Sequence, residues 1–174
     1  MGDAEKSIGL IGFMGSGKTS VGKRLASALG REFLDTDSII EMSTGRSVSE
    51  IFSQNGESHF RELESAVVRD VCRHRSAVIS FGGGAPLSQS NYDTIRESTL
   101  VVFLRLSIET LVSRISYNNM RPLMAGAGNS VREKVTAMYA ARKEIYTRLA
   151  DLIVDRDERD ADQTATEIIR RLRL

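Results

Sequence analysis

The run Gly12-Phe-Met-Gly-Ser-Gly-Lys-Thr19 constrains this chain more than any other feature, because it fills the pattern G-x-x-x-x-G-K-[ST] completely. An apolar stretch, Ser7–Ile11, precedes it, and Val21, Leu25, Ala28 and Leu29 follow at helical spacing. Strand, glycine-rich loop and helix in that order wrap backbone N–H groups around an anion at a helix N-terminus. Gly15, Ser16 and Gly17 let the backbone curl about phosphate oxygens, and Lys18 brings positive charge to the β- and γ-phosphates. The Thr19 hydroxyl is a ligand for Mg²⁺, which keeps several waters and bridges phosphates, and Ser20 is counted with the nucleotide-binding residues.

The rest of the chain supplies an α/β frame for such a loop. Phe33–Asp35, Ala77–Ser80, Leu100–Leu104 and Leu152–Val154 are short apolar runs that read as further strands. They are mostly continuous rather than alternating, as strands covered by helices on both faces should be. Between them, Phe60, Leu63, Val67, Val71 and His74 fall on one side of a helix. Ser47–Glu50, Ser130–Glu133 and Thr164–Glu167 match the capping box, and Gly30 stands where a left-handed C-cap belongs. Alternating strands and helices imply a mostly parallel sheet. At 174 residues the chain fits one domain.

Composition narrows the function classes. A formal charge of +1 argues against bulk affinity for nucleic acid or anionic membrane. The single cysteine excludes an internal disulfide or a multi-cysteine zinc site, and on Cys72 a buried thiol is expected. No apolar run reaches membrane-spanning length and Met1–Lys6 is too polar for a signal peptide, so a soluble, cytoplasmic protein is expected. The strings N-K-x-D, D-x-x-G and L-S-G-G-Q do not occur, which argues against a GTPase or a transporter ATPase. A small phosphotransferase remains, or a nucleotide-binding module without chemistry.

Phe33-Leu-Asp-Thr-Asp-Ser-Ile-Ile-Glu41 supplies the candidate acceptor side. Asp35 and Asp37, two apart in extended backbone, should point the same way from the strand's carboxyl end. Phosphoryl transfer needs one carboxylate near the metal and another beside the acceptor hydroxyl. Alternatively, Asp37 caps a helix beginning at Ser38. The stretch from Ser116 to Asn129 has no steady period and reads either as a surface loop or as a functional one.

The phosphate loop, then F-x-D-T-D-x-x-I-E, Phe60-Arg-Glu-Leu-Glu64, Gly82-Gly-Gly84 and Arg121-Pro-Leu-Met124, in this order, resemble shikimate kinase from about Ile8 to Val154. The resemblance implies a P-loop NTPase-type three-layer α/β/α fold. Its five-stranded parallel sheet would have the order 2-3-1-4-5, with a mobile lid at about 115–129 inserted in a single domain, 1–174. It implies transfer of a phosphoryl group from ATP to the 3-hydroxyl of shikimate, with Mg²⁺ as cofactor, by a monomer without nucleic-acid or membrane partners. A gluconate kinase is the alternative within the class, since gluconate also offers a carboxylate and hydroxyls.

By the same resemblance, Lys18, Asp37 and Arg121 are catalytic, and Asp35 joins Thr19 near the metal. Arg61, Arg142, Asp37 and Gly83 bind shikimate, with Glu64 holding Arg61. Arg114 and Arg159 approach adenine, and Arg121 in the lid reaches the phosphates. Arginine suits the substrate carboxylate because its planar fork can grip it with two charge-assisted bonds.

Overall fold

The computed structural model describes residues 6–117 and 131–174. A parallel sheet of β1 (Ser7–Ile11), β2 (Phe33–Asp35), β3 (Val78–Ser80), β4 (Thr99–Arg105) and β5 (Leu152–Asp155) has the order β2-β3-β1-β4-β5. Its crossovers carry α1 (Lys18–Leu29), α2 (Thr36–Thr44), α3 (Val48–Val71), α4 (Gln89–Ser98), α5 (Ile108–Tyr117) and α6 (Val131–Leu149), and α7 (Ala161–Leu172) follows β5. The expected strands and their order are present, with ends that shift by a residue or two.

The continuous apolar runs are explained by two cores, one on each face. Within β4, Val101 and Phe103 join Val68, Ile95, Leu111, Val135 and Tyr146 on one side. The alternate residues Val102 and Leu104 pack with Val21, Leu25, Ala165 and Ile168 of α1 and α7 on the other. Because successive side chains leave a strand on opposite faces, both parities must be apolar. Fully burying one such side chain is worth about 1.5–3 kcal/mol.

Several local readings hold and others need correction. Gly30 ends α1 at φ 62°, and Ser47 with Glu50 forms the expected capping box. The helix around Phe60 stops at Val71, so His74 is exposed beyond it, beside Glu32. Gly56, at φ 81°, breaks α3 into two helical pieces. Thr164 and Glu167 do not form a capping box: α7 starts earlier, capped by Asp160 with Gln163, and Thr164 instead donates to the Asp160 carbonyl. Ser130 lies outside the described residues. Of the segment expected as a lid, 115–117 closes α5, while 118–129 lies outside the described residues. Among the described residues no helix is long and apolar enough to cross a membrane.

Candidate active site

The sheet brings the carboxyl ends of β1, β2 and β3 to one edge, where open parallel sheets bind ligands. A cleft of about 860 Å³ lies there, lined by the phosphate loop, Asp35, Asp37, Ser80, Gly83, Arg114 and Arg156. Gly15 and Gly17 have φ of 78° and 79°, a left-handed backbone that disfavours any side chain. Lys18, the first residue of α1, donates from Nζ to Gly12 O at 2.9 Å and Phe13 O at 3.2 Å, which keeps its charge on the loop. Gly15, Gly17, Lys18, Thr19 and Ser20 all line the cleft, whereas Ser16 is buried beneath it with Oγ lacking a hydrogen-bond partner.

Thr19 Oγ1 donates to Asp35 Oδ2 at 2.8 Å. The pair offers hard oxygen donors beside the phosphate cradle, the set that suits Mg²⁺ held by one or two protein groups and substrate phosphates.

Asp35 and Asp37 both line the cleft, but not as neighbours in extended backbone. Asp35 ends β2 and caps α2, accepting from Ser38 N at 3.2 Å, while Asp37 stands in the first helical turn. The capping role considered for Asp37 therefore belongs to Asp35. Thr36, buried between them, accepts from Gly82 N at 2.9 Å and so fastens the start of α2 to the segment after β3.

That glycine segment gathers the remaining charges. A Cβ on Gly82 would come within 2.7 Å of Asp37 Oδ1 and 2.8 Å of Glu64 Oε1, and one on Gly84 would collide with the Arg61 guanidinium. On its other side, a Cβ on Gly83 would lie 3.4 Å from Gly12 O and 3.5 Å from Met14 N. The three glycines therefore form a thin wall between the phosphate loop and a group of ionisable side chains.

Arg61 and Glu64 sit one turn apart on α3, Nη1 to Oε2 at 2.7 Å, and Glu57 holds Nη2 at 3.0 Å. Glu64 is 1% exposed. Burial raises its pKa, opposed by Arg61 and by the more distant Arg142, and reinforced by Asp37. Arg142 projects from α6 with its guanidinium 5.6 Å from the Phe13 ring centroid. Tyr146, one turn later, donates to Gly83 O at 2.6 Å, and burial pushes its phenol up to about 12. Asp37, Arg61, Glu64 and Arg142 thus interact through one small volume.

Of the nucleotide-side arginines expected, Arg114 on α5 lines the cleft and donates to Gly15 O at 3.3 Å. Arg159 does not line it: its side chain is exposed and donates to the Asp155 carbonyl. Arg121 lies outside the described residues. Sequence reasoning missed Thr36, Tyr146 and Arg156. Thr36 stood inside the quoted D-T-D string, and Tyr146 follows Arg142 by one helical turn, so both carried a weak signal. Arg156 carried none.

Comparison with known proteins points to a single family. The sequence model described as shikimate kinase matches residues 14–173. The shikimate kinase of Moorella thermoacetica is 43% identical over 162 residues, covering 93% of this chain and 91% of that protein. That of Mycobacterium avium is 42% identical over 169 residues, covering 97% and 94%. The structure of shikimate kinase from Acinetobacter baumannii in complex with shikimate superposes with a TM-score of 0.92 at 31% identity, covering 98% of this chain and 94% of that one.

Proposed function

The chain belongs to the shikimate kinase family and phosphorylates shikimate with ATP, and we propose that the phosphoryl group passes to the ring 3-hydroxyl across the Gly82–Gly84 wall. One observation carries the residue assignments. Gly83 touches the phosphate loop, while Gly82 and Gly84 touch Asp37, Glu64 and Arg61. Donor and acceptor can therefore meet with only a backbone beside them.

In this reading the shikimate carboxylate is gripped by Arg61 and Arg142. Glu64 and Glu57 hold the Arg61 fork in place, so little rotamer freedom is lost on binding. Tyr146 anchors Gly83, which keeps the floor of the acceptor site rigid. Asp37 accepts the hydrogen bond of the attacking hydroxyl and takes its proton as the transfer proceeds. Lys18 and the N–H groups of the loop stabilise charge that spreads over the phosphoryl oxygens. Thr19 and Asp35 would hold Mg²⁺, which when bound would neutralise part of the charge on the phosphates. Arg114 flanks the adenine end of the cleft, and Arg121 is assigned to the transferring phosphoryl group. The charge of +1 suits action on small anions rather than on a polyanion surface.

Arg61→Ala tests the partition of the cleft. It removes one partner of a desolvated charge pair, so shikimate affinity falls by about 2–5 kcal/mol, roughly 30- to 5,000-fold, while ADP affinity holds. Calorimetric titration of each ligand reads both. Unchanged shikimate affinity would place the carboxylate elsewhere.

A further inference from the structure

Arg156 follows β5 directly and is 5% exposed, yet it lines the nucleotide cleft. Its Nη1 donates to Ser16 O at 2.5 Å, and its Nε lies 3.3 Å from Thr164 Oγ1 on α7. The guanidinium presses so closely on Gly17 that a Cβ there would collide with it. Among the described residues no carboxylate oxygen lies within 4.0 Å of it. Burial and the neighbouring Arg114 both disfavour its charged form, and Asp160 offsets them only in part. An uncompensated buried cation is costly in isolation, and phosphates entering the cleft would relieve that cost.

Geometry gives the contact a second consequence. A trans peptide is planar, with its C=O and N–H on opposite sides. Anchoring Ser16 O to Arg156 therefore fixes the direction of the Gly17 N–H, away from the arginine. Arg114 holds the preceding carbonyl, Gly15 O, from α5. Two consecutive peptides of the phosphate loop are thus tied from outside by guanidinium groups.

We propose that Arg156 is a positioning residue for the nucleotide: it braces the Ser16–Gly17 peptide so that the Gly17 N–H faces the phosphates, and its charge raises affinity for the polyphosphate. The proposal rests on the nucleotide-site reading given above. Its test is steady-state kinetics of the full chain carrying Arg156→Gln or Arg156→Lys, with ADP binding measured by calorimetry. In the glutamine variant, KM for ATP and Kd for ADP rise about 10- to 100-fold, the range for losing a charged hydrogen bond. Turnover at saturation stays within about threefold and KM for shikimate is unmoved, because uniform binding is what has been lost. The lysine variant, which keeps the charge and one donor, falls between the two.

Unchanged ATP and ADP affinity in the folded glutamine variant overturns the brace. So does an equal rise in KM for ATP and shikimate, which marks general loosening of the fold. If the glutamine variant does not fold, wild-type ADP affinity in the lysine variant overturns it instead. Wild-type turnover of ATP with shikimate is measured first. Its absence would overturn the proposed reaction and not the brace alone.

Discussion

Asp37 is the residue on which the proposed chemistry turns. It stands in the first turn of α2 with Gly82 beside its carboxylate, and the capping role that could have explained it belongs to Asp35. Asp37→Asn keeps the shape but removes the base, so turnover falls about 10²–10⁴-fold while ADP binding holds. A loss below about tenfold, read by steady-state kinetics at saturating substrates, would leave Asp37 only an orienting role. Lys18 and Thr19 were legible from the phosphate-loop pattern itself, whereas Arg61 and Gly82–Gly84 were singled out through the family resemblance. Thr36 and Tyr146 were only weakly legible and Arg156 not at all, because each serves by bonding a distant backbone atom, a task many side chains could perform. Cys72, expected buried, is half-buried, and that burial pushes its thiol up to about 11.

The elements were legible in kind and less so at their ends. Gly56 breaks α3 inside the polar run Ser53–His59, ahead of Phe60 where the helical spacing read from the sequence begins. At α7 the expected box of Thr164 with Glu167 gives way to Asp160 with Gln163, which starts the helix earlier. The start of α5 depends on a longer-range contact. Ser107 caps it by accepting from Thr110 N, and Asp157, beyond β5, in turn accepts from Ser107 N at 2.9 Å and Ser107 Oγ at 2.8 Å. Burial works against the Asp157 charge, but the hydrogen bonds from Thr110 and Ser107 prevail and lower its pKa below the usual 3.8. A carboxyl with a lowered folded pKa contributes stability above its unfolded pKa, and the contribution fades as pH falls through the folded value. Asp157→Asn should therefore cost about 1 kcal/mol at neutral pH, a modest figure because the group is exposed. Urea unfolding checks this, with the gap to wild type closing below about pH 3. An equal gap at both pH values would assign the contribution to shape rather than charge.

Across the whole molecule, five continuous apolar runs sufficed to read a parallel sheet covered on both faces, because only burial on two sides tolerates apolar residues at both parities. The order β2-β3-β1-β4-β5 was not legible from hydropathy and came from the resemblance; the register ties behind it, such as Arg105 opposite Asp155 on β4 and β5, join residues 50 apart in sequence. That order sets the phosphate loop against Gly83 and makes one cleft of two half-sites. The account stands on those half-sites exchanging a phosphoryl group. ADP release from Mg·ATP by the intact chain, measured with shikimate, with gluconate and with no acceptor, tests this most directly. The account predicts saturable ADP release with shikimate, matched mole for mole by shikimate 3-phosphate, and only the acceptor-free rate with gluconate. Equal stimulation by gluconate, or no stimulation by shikimate, would contradict it.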